Sequence, residues 1–235
     1  MQNPLPVPHC HARKPYFRYT AAHDYPMSIQ VTSKGEQTRQ RLLDITQAAI
    51  LQKGFAATSL DEVIAEAGIT KSGFFYHFRD KSELAKALLQ RYIVDEDRFF
   101  DELFARADSL NEDPLHAFLI FLKLFADAMS DLPNGHPGCV AASYCYQDQL
   151  FSREIQDLYR GVFTSWRERF SARLHLIARR YPPKVDVNLD TLADMLSATA
   201  DGGIILSKSM RDPSLLPKQI MLYRSFVRVT FLGTD

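Results

Sequence analysis

Thr58-Ser-Leu-Asp-Glu-Val-Ile-Ala-Glu-Ala-Gly-Ile-Thr-Lys-Ser-Gly-Phe-Phe-Tyr-His-Phe-Arg-Asp-Lys81 is the stretch whose reading decides the fold. Leu60, Val63, Ile64 and Ala67 recur at i, i+3, i+4 and i+7, one face of a short helix. Ser59 can cap that helix, with Glu62 three residues on completing a capping box. Gly68 gives the helix end its backbone freedom. Thr70 can cap a second helix from Lys71 to about Phe78, with Phe74 and Phe78, four apart, turned to a core. Two short helices joined by a Gly-bearing turn predict a helix-turn-helix. The second helix of such a unit lies in the DNA major groove with its N-terminal residues at base edges.

Working outward, Ser33 and Glu36 predict the start of a helix over Lys34 to Lys53, with Leu42, Ile45 and Ala49 as its inner stripe and Gly54 ending it. Asp80 and Glu83 predict the cap of a long helix from Lys81. Leu84, Leu88, Tyr92, Phe99 and Leu103 form one apolar stripe on it, and Ala85, Leu89, Ile93, Phe100 and Phe104 the neighbouring one. A face that wide is buried in a bundle. Further helices are expected over Leu115 to Met129, Cys139 to about Gln149, Ser152 to Tyr181, Leu189 to Met210 and about Leu215 to Leu232, separated by Pro- and Gly-rich breakers. No segment alternates with period two for long enough to argue a sheet. The expected fold is all-α: a three-helix DNA-binding unit over residues 28–80 and a larger helical unit over residues 81–235, with the long helix leading from one into the other.

Lys plus Arg equals Asp plus Glu across the 235 residues, so net charge does not point to nucleic acid. The helix-turn-helix region is balanced too, and the broad basic footprint of many DNA-binding domains is absent. Affinity must come from a few well-placed cations, helix N-termini facing phosphates and doubled contacts in a dimer. Three cysteines are too few for a disulfide framework. No apolar signal segment opens the chain, and no hydrophobic run is long enough to span a bilayer, so a soluble cytoplasmic protein is expected. Residues 1–27, with Pro4, Pro6, Pro8 and Pro15, show no period and read as a disordered, mildly basic extension; Met27 is a plausible true translation start.

Gly68-Ile-Thr-Lys-Ser-Gly-Phe-Phe-Tyr-His-Phe-Arg-Asp-Lys-Ser-Glu-Leu84 resembles the signature of the TetR family of transcriptional regulators, and Arg39 to Ile45 and Gly54 to Ser59 fit its first helix and the turn after it. The resemblance covers roughly Lys34 to Tyr92. It implies that Thr70, Lys71, Ser72 and Gly73 open the recognition helix and reach bases or phosphates. It implies DNA contacts from Tyr76 and His77 and phosphate contacts from Lys81 and Thr58. Where the family usually has a Tyr one turn into that helix, this chain has Phe75; the phosphate hydrogen bond is lost, leaving a thymine methyl contact or packing.

The resemblance further implies a repressor that binds a palindromic operator in double-stranded DNA as a homodimer and is released by a small apolar or aromatic effector held in the C-terminal helices. Among the many aromatics there, Phe121, Phe125, Tyr144 and Trp166 are the candidates for apolar contact, with Arg98 and Gln147 to orient the effector. In the family the last two long helices pack across the twofold axis. Gly202 and Gly203, adjacent in such a helix, call for either a partner backbone or an unwound turn beside a ligand. Leu222, Phe226 and Val229 offer a partner-facing stripe. Cys139, opening a helix, suggests a second reading as a thiolate sensor of oxidants or electrophiles. A third reading, an α-helical carrier or enzyme, lacks a reactive constellation: there is no nucleophile elbow or phosphate loop, and Asp113 with His116 falls short of a metal set. No catalytic residue, metal or cofactor is expected.

Overall fold

The computed structural model describes residues 33–233. The N-terminal extension and the Met27 start lie outside the described residues. Among these, the elements are α1 (Lys34–Ala57), α2 (Leu60–Ala67), α3 (Lys71–His77), α4 (Lys81–Leu110), α5 (Pro114–Ser130), α6 (Val140–Cys145), a single 3-10 turn (Asp148–Leu150), α7 (Arg153–Arg180), α8 (Leu189–Ser209) and α9 (Leu215–Leu232), with no strand. The fold is all-α.

The start signals work as the sequence implies. Glu36 N donates to Ser33 Oγ (3.2 Å), Glu62 N to Ser59 Oγ (3.2 Å), Gly73 N to Thr70 Oγ1 (3.1 Å) and Glu83 N to Asp80 Oδ1 (2.8 Å). Gly68 closes α2 in the left-handed region (φ 63°), where a Cβ is unfavourable. The inner face of α1 differs from the expected stripe. Leu42, Leu43, Thr46 and Ile50 are buried, whereas Ile45 and Ala49 are only partly so. α1 also continues past Gly54, which takes φ 83° and ψ 164° and kinks it, so one more turn carries Phe55 inward. α6 is shorter than expected and ends at Cys145.

α4 is the shared beam. Its first half packs on α1 and its second on α5 and α7. Arg91 anchors it to α1: one guanidinium nitrogen donates to Asp44 Oδ1 (2.7 Å), the other to Gln47 Oε1 (2.9 Å). Beyond it, α5 and α8 both pack on α9, and α7 packs on α8. Tyr223 OH donates to Leu192 O (2.8 Å) and Arg224 Nε to Leu119 O (2.8 Å), locking α9 to α8 and α5. Asp113 and His116 form a helix cap rather than a metal pair: Asp113 Oδ1 accepts from Leu115 N, His116 N and the His116 ring, and Oδ2 accepts from Tyr181 OH (2.7 Å).

The glycine pair has a reason inside one chain. A Cβ on Gly203 would lie 2.9 Å from Leu216 Cδ1 and 3.1 Å from Leu216 Cα, so this glycine lets the start of α9 close onto α8. A Cβ on Gly202 would meet nothing within 4 Å. Seating a partner backbone is therefore not what Gly203 is needed for. Gly203→Ala is expected to cost about 1–3 kcal/mol through overpacking, and Gly202→Ala to be neutral or to stabilise by up to about 1 kcal/mol. Thermal unfolding of the two variants checks this; a Gly203→Ala protein as stable as the parent would remove the close approach from the account.

Candidate DNA-binding surface and effector cavity

α3 turns Phe74 and Phe78 into the core and leaves the other side to solvent. Phe75 is 52 % exposed and Tyr76 is 83 % exposed, so neither ring is held there by burial in the described fold. A half-buried packing role for Tyr76 is thereby excluded. His77 stacks edge-on against Tyr76, with ring centroids 5.0 Å apart, and is partly covered. Thr70 is exposed and caps α3 while its hydroxyl also meets Ser72 Oγ at 3.0 Å. Gly73 is packed tightly enough that a Cβ would sit 3.3 Å from Thr70 Oγ1. Lys71 reaches out to Asp61 on α2 (2.8 Å), a solvent-exposed pair that contributes little to stability and leaves the ammonium available to another anion. Thr70, Lys71, Ser72, Gly73, Phe75, Tyr76 and His77 thus lie on one short helix and its cap.

Two expected phosphate ligands point elsewhere. Thr58 is buried, and its hydroxyl donates to Gly54 O (2.9 Å), closing the kinked end of α1. Lys81 folds its ammonium under α1, donating to Phe55 O (2.6 Å) and lying 4.1 Å from the Phe55 ring centroid. Burial there lowers its pKa. Both serve the kink because Gly54 turns the α1 carbonyls toward them, which periodicity does not reveal.

The same kink meets the second bundle. Ala56 N donates to Gln147 Oε1 (3.0 Å), and a Cβ on Gly54 would strike the Gln147 amide. Phe55 packs on Phe151 (centroids 4.6 Å apart), which stacks on Tyr144 (4.5 Å), and Tyr144 OH donates to Ala85 O (3.0 Å) on α4. Tyr144 and Gln147 therefore join the two halves of the molecule rather than facing a ligand.

A cavity lies between α4, α5, α7 and α8 and opens to solvent; its empty space together with the adjoining solvent at its mouth is about 490 Å³. Of the six residues expected to bind an effector, Phe125 and Trp166 line it. Phe121 is fully buried and stacks on Phe104 (centroids 3.9 Å apart), so it belongs to the core. Arg98 is exposed on the other side of α4. Phe99 and Phe100 of α4 and Phe170 of α7 add aromatic walls, and Leu196, Ala200 and Ile204 of α8 an aliphatic one. The polar groups at the cavity are Tyr92, Glu96, His136, Cys139, Ser197 and Asp201. Sequence reasoning missed Glu96 and Asp201, although Glu96 sits on the apolar stripe of α4, four residues after Tyr92 and three before Phe99.

Burial, with Asp201 adding repulsion, pushes the Glu96 carboxyl up to about 8. Burial also raises Asp201, partly offset by the Cys139 thiol. His136 is pushed down to about 4 by burial and by Lys208, so its ring is neutral near pH 7. Cys139 caps α6 by accepting from Ala142 N (3.3 Å) and contacts Tyr92 OH at 3.5 Å. Burial and the Asp201 carboxyl push its thiol well above the ordinary range. The helix N-terminus was expected to lower that pKa; α6 is one short helix, and desolvation wins. The thiolate-sensor reading loses its thiolate.

A helix-turn-helix whose second helix is exposed, joined to a helical bundle around a cavity, is the architecture of a DNA-binding transcriptional regulator. The family model described as "Bacterial regulatory proteins, tetR family" matches residues 42–88. The uncharacterized HTH-type transcriptional regulator YxaF of Bacillus subtilis (strain 168) is 26 % identical over 190 residues, covering 79 % of this chain and 92 % of that protein. The HTH-type transcriptional regulator AcrR of Shigella flexneri is 36 % identical over 58 residues, 25 % of this chain and 27 % of its own length. The crystal structure of a TetR family regulator from Agrobacterium tumefaciens superposes with a TM-score of 0.69 at 18 % identity, covering 82 % of this chain and 98 % of that one, and so shares the fold. Residues 42–88 thus carry a DNA-binding segment of the tetR type, and over most of its length the chain is similar to transcriptional regulators of that kind. Among the described residues, no helix is long and apolar enough to cross a membrane.

Cys145 is exposed while Cys139 is buried. Iodoacetamide at pH 8 should alkylate Cys145 well before Cys139, as read by peptide mass spectrometry. Preferential labelling of Cys139 in the folded protein would restore it as a reactive thiol.

Proposed function

We propose that this regulator is a repressor that binds a palindromic operator as a homodimer and is released by a small effector entering the cavity. One observation carries the reading. Cys139, at the cavity wall, opens α6, and the residues at and just after the end of that helix, Tyr144 and Gln147, grip α4 and the kinked end of α1. A ligand that moves the start of α6 has a short packed path to the orientation of α3. Such a ligand shifts the equilibrium only by its differential affinity for the two arrangements.

The homodimer reading is supported by apolar side chains left outside by one chain. Leu222 is 64 % exposed and Phe226 is 39 % exposed on α9, with Ile205 and Leu206 exposed on α8 and Met210 at its C-cap. Two adjacent helices presenting such a surface suit an interface between copies. A dimer must hold its two recognition helices about 34–36 Å apart, or a multiple of that, to meet successive major grooves. DNA contact is supported by the exposed Phe75 and Tyr76 rings and by Lys71.

Operator binding is tested by fluorescence anisotropy with DNA flanking the protein's own coding region, at several salt concentrations. Tyr76→Ala should weaken binding at least tenfold while changing stability by less than about 0.5 kcal/mol, as expected of an exposed side chain. Lys71→Ala should weaken all sequences alike and reduce the salt slope by about one. Unaltered affinity in both variants would move the DNA interface off α3.

A further inference from the structure

Among the described residues, the cavity holds an acid without a base. Glu96 is only 8 % exposed, and no hydrogen bond or ion pair to its carboxyl is formed by any described residue. Its oxygens are not sealed in protein, since no fully enclosed side-chain oxygen in the described residues lacks a partner and Glu96 lines the cavity. Asp201 faces the same space from α8. Among the described residues, no Lys or Arg lines the cavity. Nearby cations are engaged: Arg91 with Asp44, Arg169 with Asp97 and Asp101, and Lys208 with the Pro137 carbonyl. Phe99, Phe100, Phe125 and Trp166 line the same cavity.

A buried carboxyl with no partner is costly, and a protein that keeps one in an aromatic cage has left room for the missing charge. Aromatic rings attract cations most strongly where water is excluded. Resting on the effector-cavity reading above, we propose that the cavity takes a hydrophobic organic cation, an aryl or alkyl ammonium, with Glu96 as its counter-ion and Asp201 as the second acidic wall. A neutral apolar effector would leave both acids desolvated and unmatched; an anion would be repelled by them.

Binding a permanent cation requires Glu96 to be ionised. In the empty cavity its carboxyl is raised to about 8, so near neutral pH it is mostly protonated and must release a proton as the cation enters. The other titratable or charged groups around it are Tyr92, Asp95 and Asp97 of α4, His136 of the loop before α6, Cys139, Asp201 and Lys208 of α8, and Arg169 of α7. His136 with a pKa of about 4 and Cys139 with a strongly raised one do not change charge between pH 6.5 and 9.

The chain has one tryptophan, and it lines the cavity, so Trp166 fluorescence reports entry directly. The probes are phenyltrimethylammonium and its uncharged isostere tert-butylbenzene, titrated into the full-length protein. Phenyltrimethylammonium should bind at least tenfold more tightly than tert-butylbenzene at pH 9. Its affinity should fall about thirtyfold between pH 9 and pH 6.5, following protonation of a single group, while that of tert-butylbenzene stays flat. Glu96→Gln should abolish both the preference and the pH dependence while leaving tert-butylbenzene within twofold; the pH profile of the unaltered protein carries the same test should that variant fold poorly. If tert-butylbenzene binds as well as the cation and Glu96→Gln changes nothing, the cation proposal is overturned while the cavity stands as an apolar effector site. If neither probe changes Trp166 fluorescence, the cation proposal falls and the effector-cavity reading falls with it.

Discussion

The kinked end of α1 is the constraint on which the rest depends. A straight helix would carry Phe55 past the core; Gly54, in a conformation that L side chains resist, turns the chain so that Phe55 enters between α4 and the Tyr144–Phe151 pair. The turn frees backbone groups, and each is met: Phe55 O by Lys81 of α4, Gly54 O by the capping Thr58, Ala56 N by Gln147 beyond α6. Buried or half-buried backbone groups must be paired somewhere. That requirement makes the turn a joint between the helix-turn-helix and the larger bundle. The aim of α3 depends on α1, and α1 is held at this end by residues of the larger bundle.

Two carboxyls show how partners decide the behaviour of a buried acid. Asp113 loses hydration at the start of α5, which by itself would raise its pKa; the backbone N–H of His116, the Tyr181 hydroxyl, the His116 ring and Arg180 outweigh that loss and hold it well below the usual range. Its ionised form is thereby stabilising above the ordinary carboxylate pKa, and that contribution is lost as pH falls through the lowered value. Glu96 is far more deeply buried, has no donor among the described residues and has acids for neighbours, so its pKa moves the other way. The first acid builds the fold. The second destabilises it when ionised and is placed at a cavity.

Much of the fold was legible in local pattern. Ser59, Thr70 and Asp80 marked three helix starts, Gly68 one end, and Phe74 and Phe78 the buried side of α3, because caps, left-handed turns and i, i+4 faces are determined within a few residues. The same locality gave the long α4 and the breakers behind it. It also gave, through the one remaining side of α3, the exposed Phe75 and Tyr76.

What spacing could not give was which way a side chain turns when several neighbours compete for it. Lys81 opens α4 yet turns to the α1 kink, because the free carbonyl there, Phe55 O, comes from a different element; Thr58, the cap of α1, turns back to Gly54 O only because Gly54 kinks that helix. Phe121 and Phe125 are alike in sequence, one turn apart on α5; the first is closed over by Phe104 and the second borders the cavity. Gly203 is needed for Leu216, a contact that exists only once α9 folds back on α8. The sequence alone determined an all-helical chain with a helix-turn-helix, since hydrogen bonds and faces within one helix are local. The tertiary structure decided the cavity, its unpaired acid and the joint, since desolvation and pairing depend on atoms brought together from helices far apart in the chain.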